Sequence, residues 1–153
     1  MKTIVSLSGG YGSTYNLWQL AVDTSDEITA VFVDFDYIPR KLPCEIKSYK
    51  SIDSVYAQAV CDWISNNVRP ITFLVLNVNN YAPEYSGIPQ LEIVDYANRN
   101  GFDKIVFSDD IKDESVPSVI LRRAISRANT SSIQIEYPIR DNNSTNYQCS
   151  KLL

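Results

Sequence analysis

Five short apolar runs, at residues 3–7, 28–35, 71–78, 104–107 and 133–137, constrain this chain more than any other feature. They are rich in β-branched and aromatic residues, and all but the last, Ile133-Gln134-Ile135-Glu136-Tyr137, are mostly apolar along their length instead of alternating. Strands buried on both faces read this way, whereas half-solvated strands alternate. Between the runs lie segments of helical period. In the second, Ile52, Val55, Ala59, Val60 and Trp63 recur at three- and four-residue steps behind Ser51. That spacing predicts a helix with this face toward the core and Ser51 as its cap. The third helix, about residues 89–100, runs into Gly101, which suits a left-handed cap. In the fourth, Leu121, Ala124, Ile125 and Ala128 repeat the step behind Pro117, and Arg122, Arg123 and Arg127 face out. Proline fits the first turn of a helix because it has no N–H to lose there. Strands alternating with helices of this length predict an α/β three-layer sandwich, a five-stranded parallel sheet with helices on both faces.

A chain of 153 residues suits one domain, which buries roughly two-thirds of its unfolded surface. No composition shift marks a second domain, so residues 1–140 form the expected ligand-binding unit. The Asn- and Ser-rich segment 141–153 is expected to be a loosely ordered tail. No apolar run approaches the roughly 20 residues of a membrane span, and the chain turns polar at Ser6, too early for a signal peptide. The expectation is a cytoplasmic protein with no membrane partner. Cys44, Cys61 and Cys149 are irregularly spaced, which indicates neither a disulfide framework nor a zinc site. With no histidine in the chain, chemistry through Ser-His or Cys-His pairs is excluded. A net charge of −4 argues against a nucleic-acid partner, because phosphate-backbone affinity needs clustered Lys and Arg. A small-molecule ligand is favoured.

The first run leads directly into Ser6-Leu7-Ser8-Gly9-Gly10-Tyr11-Gly12-Ser13-Thr14. Glycines let a backbone approach an anion closely, the hydroxyls of Ser8, Ser13 and Thr14 can donate to it, and the next helix adds the partial positive charge of its N-terminus. This composition points to a phosphate cradle at Ser8, Gly9, Gly10, Tyr11, Gly12, Ser13 and Thr14. The bland alternative is a tight strand-to-helix turn capped by Ser13. Lacking Gly-Lys-Ser/Thr and the Gly-x-Gly-x-x-Gly spacing, the loop is neither the Walker type nor the dinucleotide type.

Two acidic constellations follow at the carboxyl ends of later strands, where open α/β sheets bind ligands. Asp34 and Asp36, with Tyr37, Arg40 and Lys41 behind them, could serve a ribose or a transient Mg²⁺, or stand as solvated strand-end charges. Asp109, Asp110 and Asp113, with Glu114, could orient a substrate amine, or cap the helix that follows. Tyr11, Tyr15, Tyr37, Tyr81 and Tyr85 could stack on a base or pack at half-buried rims. The cysteines read as incidental thiols, since no cationic partner for them is evident.

The loop resembles the Ser-Gly-Gly-x-Asp-Ser loop of the PP-loop ATP pyrophosphatases, the adenine nucleotide alpha hydrolase superfamily, with Gly12 where that family has Asp. Within it the chain is most similar to a shortened 7-cyano-7-deazaguanine synthase. Asp36, Tyr37 and Arg40 match a family segment after the second strand, and Pro117 alone remains of a later Tyr-Pro-Asp-Cys-Arg motif. The resemblance implies a Rossmann-like fold, ATP or AMP with magnesium as ligands, and ATP-dependent adenylation of a small carboxylate. The family's structural zinc has no ligand set here, so none is expected. Such trimmed motifs suit a diverged or virus-encoded relative, in the latter case in the host cytoplasm. The alternative reading is a catalytically degenerate homologue that binds nucleotide, or docks on a protein partner or a second copy, as a regulator. A third ligand class that the same layers could hold is a flavin or the ligand of a universal-stress-type binder.

Overall fold

A computed structural model of the chain describes residues 1–8, 11–35, 52–78, 88–108 and 116–138. The described elements alternate: β1 (Lys2–Ser6), α1 (Tyr11–Asp23), β2 (Glu27–Phe35), α2 (Ile52–Asn67), β3 (Thr72–Val78), α3 (Ile88–Arg99), β4 (Lys104–Val106), α4 (Val116–Ala128) and β5 (Gln134–Glu136). The strands form one sheet in the order β3-β2-β1-β4-β5, and every neighbouring pair is parallel. The expected three-layer α/β sandwich is therefore the observed fold, with all five predicted strands in place. The segment 141–153 and the cap at Ser51 lie outside the described residues.

The layers follow from the side-chain alternation of β1. Thr3, Ile4 and Val5 are fully buried, as a strand with neighbours on both edges and helices on both faces requires. Val5 and Leu7 pack on one face with Ile28, Ala30 and Phe32 of β2, under Leu17 and Ala21 of α1 and Ile64 of α2. Ile4 points to the other face, where Val31, Ile105 and Phe107 meet Ile93, Val94 and Ala97 of α3 and Ile125 of α4. Each such aliphatic side chain contributes about 1.5–3 kcal/mol by leaving water. Two crossovers carry the chain from β1 to β2 and β3 over the first face. It then returns past β1 to β4 and β5 over the second, which right-handed connections demand.

Helix α2 corrects the expected buried face. Ala57, Cys61 and Ile64 lie against the sheet, whereas Val55 and Trp63 are 56% and 57% exposed, and Ala59 is exposed too. The small side chains of Ala57 and Cys61 let its axis sit close on β2 and β3. Of the expected stripe, Val60 packs against the core, whereas Val55, Ala59 and Trp63 are turned away from it. Of the three arginines expected to face out of α4, Arg123 and Arg127 do so, while Arg122 is half-buried and engaged.

At the amino edge of the sheet, Asp26 joins the starts of several strands. Thr3 Oγ1 donates to Asp26 Oδ2 at 3.0 Å, Lys104 Nζ lies 3.4 Å from the same oxygen, and the Met1 amino group lies 3.6 Å from Oδ1. Arg69 Nη2 donates to the Asp26 backbone carbonyl at 2.6 Å. Burial pushes the Asp26 carboxyl up, but the Thr3 hydrogen bond and the charge and hydrogen bond of Lys104 outweigh it and hold the pKa below the ordinary 3.8. Gly101 ends α3 with φ of 69°, the left-handed conformation expected of it, and open space surrounds the position of a Cβ there.

Gly101→Ala is expected to lower stability in chemical denaturation by about 1 kcal/mol. The whole effect is backbone strain, since the added methyl meets nothing. Asp26→Asn is expected to lower stability by about 2 kcal/mol at neutral pH, because Lys104 is left mostly buried without its counter-ion. A carboxyl with a depressed folded-state pKa contributes stability that is present above its unfolded pKa and lost as pH falls through the folded one. Acidification below about pH 4 should therefore destabilise the native protein more steeply than Asp26→Asn.

Candidate functional site

The crossovers on either side of β1 lie on opposite faces, so a crevice opens beyond the carboxyl ends of β1 and β4. This is the position at which open α/β sheets bind ligands. Polar groups from three elements meet there. Ser108, just past β4, donates its N–H to Ser6 Oγ at 3.1 Å and its hydroxyl to the Ser6 carbonyl at 2.9 Å. Asn16 of α1 donates through Nδ2 to Ser108 Oγ at 3.3 Å. Ser8 donates its N–H to Ser13 Oγ at 3.1 Å, and the two hydroxyls are also 3.1 Å apart.

Helix α1 begins at Tyr11, so Gly12, Ser13 and Thr14 stand in its first turn and not in the loop before it. Ser13 is accordingly not the helix cap. Its hydroxyl reaches back to Ser8 and ties the exit of β1 to the helix. Ser13 and Thr14 are both buried, and the first turn of α1 contains no acidic residue. The first turn itself thus sets no carboxylate against the partial positive charge of this helix end, which favours an anion beside it. Gly9, Gly10 and the side chain of Tyr11 lie outside the described residues.

Asp34 is half-buried near the carboxyl end of β2, opposite Asn77 of β3. Val31 is the register partner of Ser6, so Asp34 stands about 10 Å further along, at the rim of the same sheet edge. The structure places it on the strand next to the crevice and not among the serines. Asp36, Tyr37 and Arg40 lie outside the described residues, as do Asp109, Asp110 and Asp113. Among the described residues, no three His, Cys, Asp or Glu side chains gather into a metal-binding group.

The hydrogen-bonding roles of Ser6, Asn16 and Ser108 were not legible in the sequence. For Asn16 a signal existed: it follows Ser13 by three residues on a helix, and residues so spaced share a face. It is only 2% exposed, and among the described residues its Oδ1 has no hydrogen-bond partner, which is rare for a buried acceptor. Beside it, α1 leaves the adjoining face of β4 and β5 open as a groove of about 260 Å³, lined by Asn16, Gln19, Asp23, Lys104 and Glu136. Burial, with the charge of Asp62, pushes the Cys61 thiol up to about 11, so it is protonated and inert at neutral pH.

No protein-family model matches the sequence, and no curated protein matches it either. Solved structures do match in shape. A predicted subunit of a tRNA methyltransferase from Methanocaldococcus jannaschii aligns at a TM-score of 0.57 and 13% identity, over 99% of this chain and 75% of that one. A universal stress protein family member from Burkholderia pseudomallei aligns at 0.51 and 11% identity, over 89% and 94%. At such identities the likeness is one of fold: a Rossmann-like three-layer α/β sandwich. Among the described residues, no helix is long and apolar enough to cross a membrane.

Ser13→Ala removes the acceptor of the Ser8 N–H and the partner of the Ser8 hydroxyl. Urea unfolding should show a loss of about 1 kcal/mol, the net worth of an ordinary hydrogen bond.

Proposed function

We propose that this chain binds an adenine nucleotide, ATP or AMP, with its phosphates at the amino end of α1 and its nucleoside along the carboxyl edge of the sheet. The observation that carries this reading is the first turn of α1: two buried hydroxyl residues, a glycine, and no acid, set at the crevice between β1 and β4. The residues present fit such a ligand. Ser8, Gly12, Ser13 and Thr14 would face the phosphates, with Gly9, Gly10 and Tyr11 completing the cradle. Asn16 holds a buried acceptor without a donor among the described residues, which suits a ligand bearing O–H or N–H groups as a nucleoside does. Asp34, with Asp36, Tyr37 and Arg40, would serve the ribose, the base or a magnesium ion that accompanies the phosphates. Asp109, Asp110 and Asp113 would face a second substrate.

The finer reading is membership of the PP-loop superfamily near the 7-cyano-7-deazaguanine synthases. Bound ATP would there supply an activated phosphorus for adenylating a small carboxylate. In this chain's own residues, backbone and hydroxyl donors would stabilise charge on the phosphates. Gly12 favours a second reading, nucleotide binding without turnover. Where the resembling family has a carboxylate, this helix end has only a hydrogen atom, and the exchange raises attraction for a bare anion while removing a metal ligand.

Calorimetric titration with ATP, ADP and AMP, each with and without Mg²⁺, tests the proposal. One-to-one binding of ATP or AMP is expected, weakened about tenfold by Ser13→Ala through the loss of one charge-assisted hydrogen bond. Gly12→Asp should weaken Mg²⁺-free ATP binding by about threefold to fivefold, since it puts a carboxylate at the positive end of α1. Absence of binding by all three nucleotides would overturn the proposal. Release of pyrophosphate by the native chain would support the adenylating reading, and its appearance only in Gly12→Asp would support the degenerate one.

A further inference from the structure

The two faces of the sheet are covered unequally. Among the described elements, α1 and α2 lie over β1, β2 and β3 on one face, while α3 and α4 lie on the other. Ile105 and Ile135 point into the α3–α4 layer, so Lys104, Val106 and Glu136 face the α1 side. There they form, with one flank of α1, the groove of about 260 Å³.

An acceptor without a donor stands at one end of this groove. Asn16 is 2% exposed and lines it, and its Nδ2 is engaged by Ser108 Oγ at 3.3 Å. Ser108 fixes the orientation of that amide, because its hydroxyl already donates to the Ser6 carbonyl and can only accept from Asn16. Ser108 lies outside the groove, so Oδ1 is the end of the amide left to it. Among the described residues nothing donates to that oxygen.

Charge is the second observation. Asp23 and Glu136 line the groove, and neither has a cation within salt-bridge reach among the described residues. Lys104 lines it too, but its ammonium is turned to Asp26 at 3.4 Å. Asp23 is also the last residue of α1, whose last turn holds no basic residue, so the partial negative charge of the helix end adds to that of the carboxylate. Between these polar ends, Leu20, Val106 and Pro138 give the groove apolar surface.

We propose that this groove binds a small alkyl diamine, with one ammonium donating to Asn16 Oδ1 and Glu136, the other to Asp23, and the methylenes lying on Leu20 and Val106. Asn16 and Asp23 stand two turns apart on α1, roughly 10 Å along its axis. A four-carbon diamine with a hydrogen bond at each end spans about that length. At roughly 30 Å³ for each water-sized group, the groove has room for such a chain and a few waters. The site lies on a face of the sheet and not at its carboxyl edge, and it does not rest on a nucleotide in the crevice. Asn16 Oδ1 has two lone pairs, one for a donor on either side.

Titration of the full isotope-labelled chain with 1,4-diaminobutane at constant ionic strength, followed by amide chemical shifts, tests this. Saturable one-to-one shifts are expected at Gln19, Asp23, Lys104 and Glu136, with α2 unmoved. Asp23→Asn and Glu136→Gln should each raise the dissociation constant at least about fivefold, through the loss of a charge-assisted hydrogen bond. Asp62→Asn, on α2 and outside the groove, should leave it unchanged. Tetramethylammonium, which carries the charge but no N–H, should not move these amides. Thermal midpoints near the native one will verify that the near-isosteric variants keep the fold. No saturation up to about 10 mM would overturn the proposal, as would shifts spread equally over α2, equal shifts with tetramethylammonium, or a dissociation constant indifferent to both substitutions. Nucleotide binding is read at the crevice with other ligands, so the failure of either reading leaves the other standing.

Discussion

Everything in this molecule depends on the burial of β1 between two strands and two helical layers. Thr3, Ile4 and Val5 have no contact with water, and the parallel ladder to β2 on one side and β4 on the other leaves them no alternative register. A one-residue slip would exchange the Ile4 face for the Val5 face and bring each side chain against the wrong helical layer. The same burial produces the crevice. Because crossovers on the two sides of β1 must lie on opposite faces, the strands part at its carboxyl end, and Ser6, Ser8 and Ser108 are left there with the first turns of α1. The candidate site is thus a geometric consequence of strand order. Its chemistry comes from which small polar residues stand at those ends.

The strands were legible because short, mostly apolar runs rich in β-branched residues have few other places to go than a doubly covered sheet. The end of α3 was legible for a similarly local reason: Gly101 adopts a conformation that other residues resist. Helix orientation was not. In α2 the residues that reach the sheet are Ala57 and Cys61, whose small size is what allows close approach, while Val55 and Trp63 promise more burial and stay outside. Hydrophobic periodicity detects a stripe but not how much of it meets the core, because that depends on the space between neighbouring elements. The glycine and hydroxyl content of the cradle was evident from sequence, but the hydrogen bonds from Asn16 and Ser108 were not. They join residues 92 and 102 positions apart and exist only once β4 lies beside β1.

Helix α1 has three separate duties, divided by direction around its axis. Leu17 and Ala21 hold it to the sheet, and its first turn presents Gly12 and Ser13 to the crevice. Its two flanks differ sharply, with polar residues over the open face of β4 and β5 and aromatic ones toward α2. The lack of any cation on α1 and α2 contrasts with α4, where Arg123 and Arg127 are exposed. The acidic character of the chain is thus unevenly distributed, since Asp23, Asp53 and Asp62 on α1 and α2 have no cation on either helix to balance them.

The central claim is that the crevice between β1 and β4 holds a nucleotide. Amide chemical-shift mapping of the isotope-labelled chain during titration with AMP tests it most directly, since it reports position as well as binding. The account predicts that the largest shifts fall on Ser8, on Gly12 through Asn16 and on Ser108, with β5 and the last turn of α2 unmoved. Shifts centred on another face of the sheet, or none at saturating AMP, would contradict it.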